Sequence, residues 1–180
     1  MDDFNKHFPL EQDIQYLNHA AVSPWPKCTA EAVANFANEN LTKGASQYPS
    51  WINVEISLRK RLAQLLNINS SNEIALAKST SEALSIIAYG ITWEDGDEII
   101  ISDQEFPSNR IVWESLQPYG VKVITASIKT EHPVRSIEEC ISPRTKLISI
   151  SSVQYATGQV INLKELSQVC QKHSILLCVD

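Results

Sequence analysis

Glu98-Ile99-Ile100-Ile101-Ser102, Val121-Lys122-Val123-Ile124-Thr125-Ala126 and Lys146-Leu147-Ile148-Ser149-Ile150-Ser151 are the runs that decide the fold. Each is short, largely β-branched and bounded by polar or turn residues, the character of a strand. Residues 73–77 and 175–179 read the same way. Between these runs lie residues 80–89, 108–117, a short stretch near 134–140, and 163–173, where apolar side chains recur at helical spacing. Parallel strands need crossover connections, so this alternation predicts an α/β fold of three layers, α/β/α, around a mostly parallel sheet.

Upstream of the alternation, residues 29–41 place Ala30, Val33, Ala34, Ala37 and Leu41 on one helical face, after Pro24 and Pro26. A second helix is predicted over 50–66, where Ile52, Ile56, Leu62, Leu65 and Leu66 recur; the loop between contains Gly44 and Pro49. Residues 1–28 read as an irregular segment and 29–180 as the sheet-bearing domain with its leading helices.

Composition narrows the function. With 180 residues, 43% hydrophobic and 20% charged, the chain has the balance of a globular protein. A formal charge of −6 with scattered lysines and arginines offers no basic stripe for a phosphate backbone, so no nucleic-acid partner is expected. The start, Met1-Asp2-Asp3-Phe4-Asn5-Lys6, lacks the basic and apolar regions of a secretory signal, and no apolar run is long enough to span a bilayer. A cytoplasmic setting without membrane association is the expectation. Cys28, Cys140, Cys170 and Cys178 form no C-x-x-C pair, and His7, His19, His132 and His173 are dispersed. Reduced structural cysteines and no metal site are expected.

Four segments could carry chemistry. Lys78-Ser79-Thr80-Ser81-Glu82-Ala83 lies between a strand and a helix, where hydroxyls and free amides make an oxyanion cradle. Thr80 and Ser81 could hold a phosphate; equally, Ser79 or Thr80 could cap the helix with Glu82 completing the box. No G-x-G-x-x-G and no Gly-Lys pair is present, so any phosphate site must use hydroxyls. In Glu105-Phe106-Pro107-Ser108-Asn109, Phe106 at a strand's carboxyl end could lie flat on a conjugated ring or be a core residue ahead of a helix opened by Pro107. In Ser152-Val153-Gln154-Tyr155-Ala156-Thr157-Gly158, Gln154 and Tyr155 could donate to a phenolic oxygen, with Gly158 permitting a turn. Asp180 closes a buried apolar strand, where desolvation calls for a donor such as a protonated pyridine nitrogen; the alternative is a helix N-cap.

In this order the segments resemble the class V aminotransferase and cysteine desulfurase family of fold type I pyridoxal-phosphate (PLP) enzymes. The resemblance runs across nearly the whole chain and begins at Tyr16-Leu17-Asn18-His19-Ala20-Ala21-Val22-Ser23-Pro24. It implies that Asn18, His19, Ala20 and Ala21 border the substrate carboxylate, that Thr80 and Ser81 bind the cofactor phosphate, and that Phe106 stacks on the ring. It places Gln154 or Tyr155 at the phenolic oxygen and Asp180 at the pyridine nitrogen. Desulfurases typically carry histidine at the stacking position and kynureninase-like members phenylalanine, so Phe106 argues against classical desulfurase chemistry.

Family members continue from the aspartate to a further strand and then the lysine that binds PLP covalently, and no lysine here occupies that motif position. By resemblance, then, the chain is the amino-terminal part of a longer PLP enzyme acting on a small amino acid, by transamination, β-elimination or desulfuration, or racemisation. No catalytic residue is assigned within it, and covalent cofactor binding and catalysis by these residues alone are not expected. A non-catalytic scaffold retaining the fold is the alternative. The family also implies a homodimer, for which residues 43–51, with Tyr48 and Trp51, could supply interfacial aromatics while a core role for Trp51 stays open.

Overall fold

The computed structural model describes residues 2–180. They divide into two compact units, one ending at Leu76 and one spanning Ala77–Asp180. In the first unit, helix α1 occupies Asp2–His7, α2 Lys27–Lys43 and α3 Tyr48–Leu65. The helix at α1 corrects the irregular start expected there. The predicted loop also shortens, because α3 opens at Tyr48 with Pro49 in its first turn, where a proline's missing N–H is not needed. Trp51 joins the two long helices: its ring packs edge-on against Phe36 at 5.1 Å, and its Nε1 donates to Glu39 at 2.9 Å. The remaining apolar stripe stays open, with Val33, Leu41, Val54, Leu65 and Leu66 all exposed.

The second unit is the sheet. Its strands are β1 (Glu98–Ser102), β2 (Lys122–Ala126), β3 (Thr145–Ile150) and β4 (Leu176–Val179), all parallel, in the order β2-β1-β3-β4. Helices α4 (Thr80–Gly90), α5 (Ser108–Glu114), α6 (Pro133–Glu138) and α7 (Leu163–His173) complete it. Alternate strand residues face opposite ways, so each strand feeds two cores. Ile99, Ile101 and Leu147 meet Leu84, Ala88, Val112 and Trp113 of α4 and α5. Ile100, Ile148 and Ile150 meet Val134, Ile137, Leu166 and Val169 of α6 and α7. The predicted three layers are therefore present.

One predicted strand is absent. Residues 73–77 leave a single 3-10 turn, Ser71–Glu73, and continue without regular structure. A strand exists only through a neighbour that takes up its N–H and C=O groups, and no described strand borders this segment. Helix α5 also ends earlier than its periodicity suggested: Pro118 cannot continue an α-helix, and Gln117–Tyr119 forms a 3-10 turn instead. Gly120 then takes φ +83, and a Cβ there would lie 2.1 Å from Asp95 Oδ1.

The strand order reverses direction at β1. The chain leaves β1 for β2 on one side through α5, then crosses to β3 on the other side through α6, on the opposite face. Such a switch point opens a crevice beyond the carboxyl ends of the two central strands, the usual place for ligands in open α/β sheets.

At the other end of the sheet, Asp97 is buried and bonded by Glu94 N–H at 2.8 Å and Lys146 Nζ at 2.9 Å. Burial alone would raise its carboxyl, but the Glu94 amide, Lys146 and Arg144 together hold it below the ordinary 3.8. A carboxyl that binds its proton more weakly folded than unfolded stabilises the fold above the unfolded value, and that stability is lost as pH falls through the folded one. The stability difference between wild type and Asp97→Asn, measured by urea unfolding, should therefore be full near neutrality and shrink as the pH falls below the ordinary carboxylate value. A difference independent of pH would contradict this account.

Among the described residues, no helix is long and apolar enough to cross a membrane, and no cluster of metal-ligating side chains occurs. The four cysteines are free; burial pushes the Cys140, Cys170 and Cys178 thiols up, away from thiolate reactivity.

Candidate functional site

The crevice is built on Glu105. It follows β1, is buried, and its carboxylate gathers donors from three segments. Ser102 Oγ donates to Oε1 at 2.6 Å and Asn109 Nδ2, from α5, to Oε2 at 2.8 Å. From the end of β3, Ser151 gives its backbone N–H to the carboxylate and its Oγ to Oε2 at 2.6 Å. Gln154 Nε2 donates to Oε1 at 2.9 Å. The network continues inward, since Asn109 Oδ1 accepts from Trp113 Nε1 at 3.0 Å and from Ser149 Oγ. A buried carboxylate is tolerated only when so fully bonded. Sequence reasoning assigned no role to Glu105; polar residues ending two neighbouring apolar strands were the available signal.

The loop after β3 is held as firmly. Val153 and Val160 form an antiparallel bridge, Gly158 N–H donates to Gln154 O at 2.8 Å, and Gly158 sits at φ +67, where a side chain would be strained. Thr157 Oγ1 and Gln159 then bond Gln104 at 2.9 Å and 3.1 Å, tying the loop to the end of β1.

These ties bring Phe106 and Tyr155 together. Their ring centroids are 5.0 Å apart and nearly perpendicular, and both side chains are exposed. Phe106 also borders a cleft of about 490 Å³ between α4 and α5, whose lining includes Ser81, Ser85, Tyr89, Ser108 and Ser115. Thus Ser81 and Phe106 share one cleft.

At the start of α4 the three hydroxyls divide their work. Ser79 is the N-cap, its side chain accepting from Glu82 N–H at 3.2 Å, while Glu82 reaches back to Lys78 N–H at 2.8 Å. Among the described residues, the Thr80 and Ser81 hydroxyls make no hydrogen bond and are exposed at the helix's positive end.

Asp180 follows β4, with its N–H on Ile150 O at 3.0 Å and its carbonyl accepting from Ser152 N–H at 2.9 Å. Partial burial, and then the nearby Glu105 carboxylate, push the Asp180 carboxyl up, with a Ser151 hydrogen bond opposing them. Two carboxylates so placed favour a cationic N–H partner.

Of the two residues expected to donate to a phenolic oxygen, Gln154 has its N–H groups directed to Glu105 and towards Ser151 O, and Tyr155 keeps its hydroxyl without a partner among the described residues. Ser81, Phe106, Gln154, Tyr155 and Asp180 therefore all belong to the carboxyl-end face of one unit. Asn18, His19, Ala20 and Ala21 lie in the other unit, in an exposed turn where Ala21 N–H bonds Asn18 O at 3.2 Å and the His19 ring packs on Tyr16.

A family model described as aminotransferase class-V matches residues 15–180. The chain belongs to that family. Among curated proteins, this class V chain is 29% identical over 185 residues to a probable cysteine desulfurase of Methanothermobacter thermautotrophicus, covering 99% of the chain and 46% of the relative. It is also 29% identical to an uncharacterised aminotransferase of Schizosaccharomyces pombe, covering 98% and 46%. Among solved structures, a cysteine desulfurase of Escherichia coli superposes with a TM-score of 0.85 at 25% identity, covering 99% of the chain and 48% of that protein. The lyase C-DES, solved with glycine linked covalently to its PLP cofactor, superposes at 0.86 with 23% identity, covering 97% and 47%. The class V chain spans about half the length of the curated relatives it matches.

Proposed function

We propose that the chain is the amino-terminal, cofactor-binding part of a PLP-dependent enzyme acting on a small amino acid. The observation that carries the proposal is the convergence of Ser81, Phe106, Tyr155 and Asp180 around the switch-point crevice, each with the chemistry one part of PLP requires. Thr80 and Ser81 would hold the phosphate with α4's free amides. Asp180, with its raised affinity for a proton, would hold the pyridine nitrogen in its cationic form. Tyr155 would donate its hydroxyl to the phenolic oxygen, and Phe106 would lie against the ring. When bound, PLP supplies the electron sink for carbanion chemistry at the substrate's α-carbon.

Phe106 can exclude water and orient the ring, but it has no titratable atom. Any proton moved on that face must come from another group, so the reading favours transamination, elimination or racemisation over a desulfurase step that relies on a stacking histidine. Asn18, His19, Ala20 and Ala21 are proposed as substrate contacts on the family resemblance alone. The open apolar residues of α2 and α3 support a homodimeric parent.

Mixing the full-length polypeptide with PLP is expected to give a yellow absorbance that borohydride abolishes. A colourless mixture would instead favour a scaffold that keeps the fold without the cofactor.

A further inference from the structure

Gln104 precedes the Glu105 anchor and is buried, although nothing in the proposed chemistry uses it. Its side chain is the middle of a run of hydrogen bonds that joins three strand ends. Thr157 Oγ1 donates to Gln104 Oε1 at 2.9 Å, Gln104 Nε2 to Gln159 Oε1 at 3.1 Å, and Gln159 Nε2 to Ile128 O at 2.7 Å, just beyond β2. The last member fixes the direction of the run. A backbone carbonyl only accepts, so Gln159 must turn its N–H groups to Ile128 and its oxygen to Gln104. Gln104 then donates to Gln159 and has its own oxygen left for the Thr157 hydroxyl.

Two consecutive residues at the end of β1 therefore hold the loop after β3 at separate points. Glu105 accepts from Gln154 Nε2 at 2.9 Å, while Gln104 holds Thr157 and Gln159. Tyr155 and Ala156 lie between these grips. Gln154 N–H donates to Gln159 O at 2.9 Å and Gly158 N–H to Gln154 O at 2.8 Å, so the gripped residues belong to one closed turn. The Tyr155 side chain itself is exposed, and its ring meets Phe106 edge-on. A ring with so little packing around it takes its place from the backbone that carries it.

We infer that Gln104 is a positioning residue: by gripping Thr157 and Gln159 while Glu105 grips Gln154, it fixes the span Tyr155-Ala156 and with it the reach of the Tyr155 hydroxyl. The inference rests on the cofactor reading for the atom that this hydroxyl meets, and on the Gln104 hydrogen bonds for everything else. Gln104 acts on a ligand only through Tyr155. A hydroxyl whose carrier is already set loses less freedom on meeting its acceptor, and that saving is what the Gln104 grip contributes to binding.

Two measurements on the full-length polypeptide separate these parts. With ring-¹³C-tyrosine labelling and no ligand, the Tyr155 signals, assigned by their loss in Tyr155→Phe, should stand displaced by the Phe106 ring and return towards free-tyrosine positions in Phe106→Leu. Gln104→Leu should move them the same way. So should Thr157→Val, which removes one hydroxyl at an exposed position, whereas Thr157→Ser, which keeps it, should not. Tyr155 signals unmoved by Gln104→Leu would overturn the positioning role, and Thr157→Val decides in its place should Gln104→Leu fail to fold.

The second measurement follows, by fluorescence, the binding of pyridoxamine 5′-phosphate and of its analogue without the phenolic oxygen. Gln104→Leu and Thr157→Val should each weaken the first about fivefold, leave the second unchanged, and add nothing in a Tyr155→Phe background. Equal losses for both ligands would mark a merely structural role and overturn the inference. A wild type that binds neither would sink the cofactor reading, and one that binds both alike would sink the Tyr155 role. In either case the tyrosine signals still decide whether Gln104 sets that ring.

Discussion

Glu105→Ala is expected to destabilise the sheet unit by about 3–5 kcal/mol, the range for removing one partner of a buried charged network. The substitution takes away the acceptor of Ser102 Oγ, Asn109 Nδ2, Ser151 N–H, Ser151 Oγ and Gln154 Nε2 at once. All of these donors belong to buried residues, so water reaches them only through the small space the side chain vacates. Glu105→Gln keeps the shape and one acceptor oxygen, and should lose roughly 1–2 kcal/mol. Urea unfolding checks both, with an unchanged slope indicating that stability alone has shifted. A loss below about 1 kcal/mol for Glu105→Ala would mean that the donors find other acceptors and that the network does not organise the crevice.

That network also marks the limit of what the sequence made legible. The strands β1 to β4 could be read because each is a β-branched apolar run whose alternate residues feed two cores, and each has another such run to pair with. Residues 73–77 have a similar composition, but strand identity belongs to a pair of segments, and no described partner adjoins them.

The same holds within the site. Asp180 was readable as a candidate because an aspartate closing an apolar strand is a local anomaly. Glu105 was not, because it looks like one charged residue in a polar turn. Its meaning comes from the register of β1 against β3, which carries Ser151 and Gln154 to its carboxylate. Likewise, sequence could not choose between capping and phosphate binding at Ser79-Thr80-Ser81. The structure gives the cap to Ser79 and, among the described residues, leaves the other two hydroxyls unengaged.

From that division of labour comes the second large effect. Thr80→Ala combined with Ser81→Ala should weaken pyridoxamine 5′-phosphate by roughly 30- to 150-fold, about 2–3 kcal/mol for two hydrogen bonds to a charged group at a solvent-open helix end. Pyridoxamine without the phosphate should bind wild type and variant alike, since the lost contacts are to the phosphate. Ser79→Ala is the contrast: losing the cap should lower stability by about 1 kcal/mol while preserving the preference for the phosphorylated ligand. The helix's free amides and dipole remain in both cases, so some preference should survive even the double substitution. Were Ser79→Ala to abolish the preference and the double variant to retain it, the anion would be held by the cap position, and the crevice would have to be re-registered by one turn residue.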